Sequence, residues 1–191
     1  MGALLSFFQS AAKMELCIVG LENAGKSTLM NVLASGDTSE TVPTVGLNVK
    51  VVKKGGVTMK MWDLAGQSAY RSEWSRYARG VDAIVFVVDV ADVPRVAEAR
   101  RELHRLLEDT TLAATPILIA ANKVDISPHM PEQQLIKELN LDYLLDNPWI
   151  ICPISAKHKQ NLDVFLTWLL KQRKGEATRG AESGSVISGR R

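Results

Sequence analysis

The chain has 191 residues, of which 46% are apolar and 23% charged, with a formal net charge of +2. This length and composition suffice for one globular domain with a buried core, and they exclude a chain that is disordered throughout. No apolar run approaches the roughly 18 residues that a membrane-spanning helix needs. Residues 172–191 carry net +3 and the preceding residues net −1. This near-neutral body argues against a nucleic-acid-binding protein, which would need a basic face.

Apolar runs and helical periodicity alternate along the chain. Segment 83–89 is continuously apolar, which is typical of a strand covered on both faces. The patterns predict strands over 15–19, 48–53, 57–63, 83–89, 116–121 and 149–155, and helices over 27–34, 94–107, 131–139 and 162–170. Gly55 and Gly56 indicate a hairpin, and Asn161 is the predicted N-cap of the last helix. This order predicts an α/β fold: a six-stranded, mostly parallel sheet with one antiparallel hairpin strand and helices on both faces.

The cysteines and histidines show no metal-binding spacing. Cys17 and Cys152 lie in apolar segments, which predicts two buried thiols in a reducing compartment. His104, His129 and His158 are scattered and far from both cysteines in sequence, so we expect no zinc site. The beginning of the chain has no basic stretch followed by an apolar stretch and a cleavage-like site, so we expect no secretory signal.

Residues 20–27 match the phosphate-loop pattern G-x-x-x-x-G-K-[ST] and lie between a predicted strand and a predicted helix. The backbone N–H groups of such a loop wrap around phosphate oxygens, and the positive end of the helix adds to the attraction. Lys26 is expected to reach the β- and γ-phosphates, Ser27 to ligate Mg²⁺ and Thr28 to touch the α-phosphate. The expected contacts of this segment with the nucleotide are Leu21, Glu22, Asn23, Ala24, Gly25, Lys26, Ser27 and Thr28.

Segment 63–67 ends the predicted hairpin and reads D-L-A-G-Q. An acidic residue at a strand end near a phosphate loop holds Mg²⁺ through water, a role that we assign to Asp63. Gly66 is expected to bring its N–H to the γ-phosphate, and Gln67 to orient the attacking water. Thr44, in the loop before the hairpin, is expected to ligate Mg²⁺ and bond the γ-phosphate only when a triphosphate is present. Without the phosphate loop, Asp63 and Thr44 would be interpreted as turn residues.

Residues that follow the last two predicted strands are suited to a purine base. Asn122-Lys123-Val124-Asp125 follows an apolar strand, and a carboxylate at Asp125 can accept hydrogen bonds from N1 and the exocyclic amine of guanine, which adenine cannot offer. Lys123 is expected to lay its apolar stem along the base, and Asn122 to tie the loops together. After the next strand come Ser155, Ala156 and Lys157. There the Ala156 N–H is expected to donate to guanine O6 and Lys157 to cover the other side of the base.

In this order the motifs resemble those of Ras-like small GTPases of the Arf and Arf-like family, over roughly 14–171. The motifs that carry the resemblance are G-L-E-N-A-G-K-S-T at 20–28, P-T-V-G-L-N at 43–48 and W-D-L-A-G-Q at 62–67. Within the family the chain is most similar to the eighth, lysosomal Arf-like subfamily, through N-V-L-A-S-G at 31–36 and V-K-K-G-G-V-T-M-K at 52–60. The resemblance implies the three-layer sandwich of P-loop NTPases, with 14–172 as the small GTPase domain.

The chain departs from the family pattern in three places. The resemblance implies an effector surface at Leu47, Trp62 and Tyr77, where the family usually has an aromatic residue in place of Leu47; effector specificity is therefore expected to differ. Ala65 stands where the family usually has glycine, but Ras proteins also have alanine there, so γ-phosphate sensing is expected to survive. The guanine loop begins with Ser155 and Ala156 instead of the threonine and cysteine of the Arf proteins themselves.

Residues 1–13 are predicted to form an amphipathic helix. Its apolar arc holds Leu4, Leu5, Phe7, Phe8, Ala11 and Ala12. Such a helix can lie in a membrane interface or pack on the body, and the resemblance implies both: packed with GDP and released to the membrane with GTP. Gly2 fits the myristoylation signal M-G-x-x-x-[ST], whereas the subfamily that the chain resembles typically anchors without myristate. Residues 173–191 are rich in Gly and Ser and are predicted to be a disordered basic tail.

The sequence and the resemblance together predict a GTP-binding and GTP-hydrolysing switch that uses Mg²⁺, with Gln67 as the catalytic residue and slow turnover without an activating protein. The expected partners are an exchange factor, an activating protein and effectors, and no binding to nucleic acid is expected. The chain is expected to be a monomer. The expected location is the cytoplasm and the cytosolic face of endomembranes, with late endosomes or lysosomes on resemblance alone, in a role in membrane traffic. Two alternatives remain: a phosphotransferase, which the sequence at 122–125 disfavours, and a nucleotide-dependent binding module with negligible turnover.

Overall fold

A six-stranded sheet organises the molecule. The computed structural model describes residues 12–39, 41–54 and 57–172. The strands are β1 (Ala12–Val19), β2 (Leu47–Lys54), β3 (Val57–Leu64), β4 (Ala83–Asp89), β5 (Ile117–Asn122) and β6 (Trp149–Ile154). They lie in the order β2-β3-β1-β4-β5-β6, and within the described residues only the β2–β3 pair is antiparallel. The predicted α/β class with one antiparallel hairpin strand is confirmed.

Helices cover both faces of this sheet because successive strand residues point to opposite sides. In the described part of the chain they are α1 (Lys26–Ser35), α2 (Trp74–Ala78), α3 (Val96–Leu107), α4 (Glu132–Glu138) and α5 (Leu162–Lys171). Leu16 of β1 belongs to a core cluster with α1 and α5, whereas the next residue, Cys17, belongs to a second cluster with α2, α3 and α4. The first six residues of β4 are buried and contribute to both clusters in the same alternating way. The result is the predicted three-layer arrangement.

The parallel strands deliver the predicted functional residues to one edge of the sheet. Their carboxyl ends lead into Gly20 after β1, Asp63 near the end of β3, Asn122 at the end of β5 and Ser155 after β6. In an open α/β sheet this edge is where ligands bind, because the loops there diverge to opposite faces and leave a crevice.

The beginning of the described chain corrects one predicted boundary. β1 begins at Ala12, so Ala12 and Lys13, the last two residues of the predicted N-terminal helix, are extended and pair with Val57 and Thr58 of β3. The cause is the parallel ladder, which continues as far as β3 offers partners. The rest of that predicted helix, Gly2 included, the Gly55-Gly56 turn and the predicted tail 173–191 lie outside the described residues.

Two further local predictions need revision. The sequence pattern predicts no helix directly after β3, but this segment forms a 3-10 helix over Ser68–Glu73 followed by α2. Asn161 does precede α5, yet its side chain does not cap the helix, since Asn161 Nδ2 donates instead to the Pro153 carbonyl at 2.8 Å. Both cysteines are buried and unbonded, as predicted. None of the described helices combines the length and the apolar composition needed to cross a membrane.

Candidate nucleotide-binding site

The loop between β1 and α1 depends on two glycines. Gly20 and Gly25 have φ values of +139° and +91°, a region that side chains strongly disfavour. A Cβ on Gly20 would collide with the carbonyl of Val87 in β4, and a Cβ on Gly25 with the side-chain amide of Asn122. The loop therefore lies tightly against β4 and the end of β5, and it leads directly into the N-terminus of α1 at Lys26.

A cavity of about 360 Å³ opens above this loop, within the size range of small-ligand sites. Its lining residues are Glu22, Asn23, Gly25, Lys26, Ser27, Thr28, Thr41, Val42, Pro43, Thr44, Gly66, Gln67 and Lys123. Most were predicted as nucleotide contacts, but Thr41, Val42 and Pro43 were not. The Thr41 hydroxyl lies 3.4 Å from that of Thr28, a contact with no sequence signal because it depends on how the loop before β2 folds over the cavity.

Lys26 is held inside the loop that it serves. Its side chain is buried, and Nζ donates to the carbonyl of Leu21 at 2.8 Å. Burial lowers the pKa of Lys26 to about 8, although the charges of Asp63 and Glu22 oppose this shift. A phosphate beside the ammonium would favour its charged form. A bound nucleotide would therefore raise the pKa of Lys26, which burial lowers.

Ser27, Thr44 and Asp63 converge from three segments that are distant in sequence. The Ser27 hydroxyl donates to Asp63 Oδ2 at 2.6 Å, the Thr44 hydroxyl donates to the same oxygen at 3.2 Å, and the two hydroxyl oxygens lie 2.8 Å apart. Burial raises the pKa of Asp63, although hydrogen bonding by Ser27 and the charge of Lys26 oppose it. The structure thus brings together all three predicted metal-binding residues.

The Asp63 carboxylate provides a test of whether this cluster fits Mg²⁺. Asp63 is completely buried, and its second oxygen, Oδ1, has no hydrogen-bond partner among the described residues. A buried, unpaired carboxylate oxygen is costly. Mg²⁺ prefers oxygen ligands and usually retains water between itself and one or two carboxylates. The donor set fits the ion, with the hydroxyls of Ser27 and Thr44 as direct ligands and Asp63 as a ligand through water.

Asn122 connects the phosphate loop to the loop after β6. Its Nδ2 donates to the carbonyl of Ala24 at 2.8 Å, and its Oδ1 accepts from the backbone N–H of Ala156 at 3.0 Å. The sequence predicts that this N–H donates to guanine O6. Its partner here is Asn122 Oδ1, because a buried N–H needs an acceptor and the amide oxygen is within reach. Ser155 is also fully buried in this loop, and its hydroxyl accepts from the His158 backbone N–H at 3.1 Å.

Asp125 is an ionised carboxylate at neutral pH. Partial burial would raise its pKa, but the hydrogen bond from Ser155, the backbone of Asp125 itself and the charges of His158 and Lys157 together bring the pKa below its ordinary value. His158 Nε2 lies 3.5 Å from Asp125 Oδ2. The site therefore supplies the charged acceptor that discrimination of guanine requires. No pattern in the sequence indicates a role for His158, because the three histidines are scattered along the chain.

Lys123 is anchored at its charged end. Its Nζ pairs with Asp89 Oδ2 at 2.6 Å, and Asp89 ends β4. The backbone of Lys123 has φ +71°, an unfavourable conformation for a residue with a side chain that persists only where the surroundings impose it. The anchored ammonium leaves the methylene stem to line the cavity. Lys157 lies close enough to Asp125 to influence its pKa.

Gly66 and Gln67 lie where the end of β3 meets the phosphate loop. Gly66 has no room for a side chain, because a Cβ would collide with the backbone of Gly20, Leu21 and Glu22. Gln67 is exposed and lines the cavity, the volume that is expected to hold a γ-phosphate and an attacking water.

The predicted effector residues lie beside this region. The rings of Trp62 and Tyr77 are 5.9 Å apart, and Lys60 Nζ lies 4.1 Å from the centroid of the Trp62 ring. Leu47 and Tyr77 are half-buried and pack against the same core cluster. Val49 and Val51 of the edge strand β2 are exposed. These residues extend the apolar character of the surface along β2.

A phosphate loop, a hydroxyl–carboxylate cluster suited to Mg²⁺ and a base loop with an ionised carboxylate, all at the carboxyl edge of one parallel sheet, define a nucleotide-binding protein of the P-loop type. Comparison with known proteins gives the family. The ADP-ribosylation factor family profile matches residues 1–173, and the chain belongs to that family of small GTPases, whose members bind GTP and GDP, typically with Mg²⁺, and are generally GTP hydrolases.

Individual relatives agree with this assignment. The chain is 44% identical over 176 residues to ADP-ribosylation factor-like protein 8b of Arabidopsis thaliana, covering 90% of this chain and 96% of the relative. Its fold matches the structure of the Arl6 BBS3 small GTPase of Trypanosoma brucei with the nucleotide analogue GppNp, with a TM-score of 0.77 and 28% identity, covering 84% of this chain and 96% of the other. The predicted resemblance to Arf-like proteins is confirmed.

Proposed function

We propose that the chain is a GTP-hydrolysing switch of the Arf-like type. The observation that carries this proposal is the convergence of Ser27, Thr44 and Asp63 around an unpaired carboxylate oxygen, next to a cavity that Gly66 and Gln67 also line. Thr44 lies in the loop before β2. Because Thr44 is expected to bind Mg²⁺ and the γ-phosphate, the position of this loop should depend on which nucleotide occupies the site. A loop of this kind is ordered by one nucleotide state and released by the other.

The chain's own residues divide the work of hydrolysis. Lys26 and the phosphate-loop N–H groups bind and orient the phosphates, and Asp125 binds the guanine. Gln67 orients the water whose oxygen forms the new bond to the γ-phosphorus as the bond to the β–γ bridging oxygen breaks, giving GDP and phosphate. Mg²⁺, when bound, neutralises negative charge on the phosphate oxygens.

Intrinsic turnover is proposed to be slow. No arginine lines the cavity within the described residues. The two arginines that follow Gln67 most closely in sequence are paired with acidic residues: Arg71 binds glutamates with its guanidinium, and Arg76 is exposed beside Glu73. An activating protein that supplies an arginine would accelerate hydrolysis by about 10³–10⁵-fold.

The proposed partners and cellular location follow from family membership and resemblance. Family membership supports an exchange factor, an activating protein and effectors as partners, with effectors at Leu47, Trp62 and Tyr77. Residues 1–11 are proposed to anchor the GTP form reversibly to endomembranes, with myristate at Gly2 as an additional signal, because one acyl chain alone binds membranes only marginally. Resemblance to the eighth Arf-like subfamily supports late endosomes or lysosomes and a role in membrane traffic.

Single-turnover hydrolysis of bound GTP, with and without cell extract, separates this proposal from the binding-module alternative. The switch predicts slow conversion to GDP that the extract accelerates; GTP that stays intact in both conditions would favour the binding module. Localisation of the full chain and of a variant lacking residues 2–11, which leaves β1 intact, tests the membrane anchor. Equal membrane fractions for the two proteins would contradict it.

A further inference from the structure

Two side chains fix the peptide groups on either side of Gly66. Trp74 Nε1 donates to the carbonyl of Ala65 at 3.1 Å, and Arg71 Nε donates to the carbonyl of Gly66 at 2.8 Å. A trans peptide group is planar, with its N–H opposite its carbonyl. The first bond therefore sets the direction of the Gly66 N–H, and the second sets the direction of the Gln67 N–H and the starting point of the Gln67 side chain.

The other donors of Arg71 bind three carboxylates. Nη1 donates to Glu98 Oε1 at 2.8 Å and to Glu102 Oε1 at 3.2 Å, and Nη2 donates to Glu22 Oε2 at 3.1 Å. The Arg71 side chain is only 6% exposed. One buried guanidinium thus joins the phosphate loop, α3 and the peptide before Gln67.

Arg95 binds two of the same glutamates, Glu22 and Glu98. Its Nη2 donates to Glu22 Oε1 at 2.7 Å and its Nε to Glu98 Oε2 at 3.0 Å. Each oxygen of the Glu22 carboxylate is therefore paired with one of the two arginines. The two arginines have different roles. Arg95 binds Glu22 and Glu98, whereas Arg71 binds Glu22 and also the carbonyl of Gly66, on the side of the site where the γ-phosphate is expected.

We propose that Arg71 is a positioning residue for the response to the γ-phosphate. Its guanidinium holds the Gly66–Gln67 peptide against the phosphate loop and α3, and this orientation presents the Gly66 N–H and Gln67 to the terminal phosphate. Arg71 lies in the 3-10 helix that leads into α2, where Tyr77 is located, so any movement of Gly66 is passed towards the proposed effector surface. This inference rests on the proposed function, because only a nucleotide triphosphate has the group that Gly66 would sense.

Arg71→Lys is the direct test in the full chain. Lysine keeps the charge but loses the planar fork, and one ammonium cannot serve Gly66 and three glutamates together. Dissociation of GTPγS should accelerate by about tenfold or more, whereas GDP dissociation should change by less than about threefold, since a lost charge-assisted hydrogen bond is worth about tenfold. Single-turnover GTP hydrolysis should slow by a similar factor. The matched control is Arg79→Lys, which removes an arginine–carboxylate pair with Asp109 that has no contact with Gly66.

Glu102→Gln provides a second variant that leaves the phosphate loop intact. It weakens the support of Arg71 from α3, and it should lower the affinity for GTPγS relative to GDP by about threefold.

Equal acceleration of GTPγS and GDP dissociation in Arg71→Lys would show that Arg71 only stabilises the loop, and it would overturn the inference. A ratio within twofold of wild type in both variants would also overturn it. If the wild-type chain hydrolyses GTP and either of these results is obtained, the role of Arg71 is wrong and the proposed function stands. If the wild-type chain binds no guanine nucleotide, both the proposed function and the role of Arg71 are wrong.

Discussion

The base half and the phosphate half of the site differ in how completely their polar groups are satisfied. In the base half, Asn122 uses both ends of its amide and the pKa of Asp125 lies below its ordinary value. In the phosphate half, Asp63 Oδ1 has no partner among the described residues and burial lowers the pKa of Lys26 to about 8. The base half is organised by the chain itself, whereas the phosphate half reaches electrostatic balance only with a ligand. This difference suits a switch, because recognition of guanine is constant and the phosphate side changes with the nucleotide.

The largest expected effect comes from Asp125→Asn in the base half. The affinity for GTP should fall by roughly 10³-fold, because guanine is proposed to make two hydrogen bonds to this carboxylate and each would be worth about 1.5–3 kcal/mol. Xanthosine triphosphate, which has a carbonyl in place of the exocyclic amine, should bind better to the variant than to wild type. Competition of each nucleotide against fluorescent GDP measures both changes, with Asp142→Asn, an exposed acid far along the chain, as the control. An unchanged preference for GTP would remove Asp125 from the base half.

Lys26→Ala tests the phosphate half directly. The affinity for GTP should fall by about 100-fold, since a charged hydrogen-bond donor to the phosphates is lost and hydrogen bonds to charged groups are worth about 1.5–3 kcal/mol each. Titration with fluorescent GTP measures the loss. Lys137→Ala, an exposed lysine in the last turn of α4, should bind normally. Equal affinities for the Lys26 variant and wild type would show that the loop backbone alone binds the phosphates.

The pH dependence should also separate the two halves. Below pH 8 the Lys26 ammonium is already charged, and above pH 8 it must take up a proton to bind phosphate, so the affinity should fall by up to about tenfold per pH unit there. The nucleotide-free fold should respond in the opposite sense. Its Lys26 pKa lies below that of the unfolded chain, so this residue's contribution to stability increases between pH 8 and its ordinary pKa of 10.5.

Titration calorimetry in buffers of different ionisation enthalpy measures the proton uptake on binding. Lys26→Ala provides the baseline for both the affinity and the unfolding measurements. Proton uptake that persists unchanged in this variant would assign the titration to another group.

The smallest expected effect is that of His158→Ala. Its imidazole lies 3.5 Å from Asp125 and is 60% exposed, and exposed ion pairs contribute at most about 1 kcal/mol. The affinity for GDP at pH 7 should change by less than about threefold. A loss of tenfold or more in the same competition assay would show that the charge on Asp125 depends on His158 and that the base half is less self-sufficient than its hydrogen bonds indicate.

The parts of the site that could be predicted are those that the sheet topology brings together. Gly20, Asp63, Asn122 and Ser155 each follow or end a parallel strand, so the alternation of strands and helices was enough to bring them to one edge. The phosphate loop was predictable for a different reason: its glycines are required by backbone conformation at fixed spacing.

The contacts that could not be predicted depend on loops and on side-chain direction. Arg71 reaches Glu98 and Glu102 across the gap between the 3-10 helix and α3, and no periodic pattern links residues so far apart in sequence. The same holds for Thr41, whose approach to Thr28 follows from the path of the loop before β2. The Ala156 N–H was assigned to guanine because the sequence does not reveal that the amide oxygen of Asn122 lies 3.0 Å away.

Single-turnover GTP hydrolysis by wild type and Gln67→Leu tests the central claim most directly. Both proteins are loaded with GTP and Mg²⁺, and bound GDP is followed over time, with Gln134→Leu, an exposed glutamine in α4, as the control. We expect wild type and the control to convert GTP slowly and at the same rate, and Gln67→Leu to be slower by about tenfold or more, because it cannot orient the attacking water. Equal rates for wild type and Gln67→Leu would contradict the assignment of Gln67 and the hydrolytic mechanism built on it.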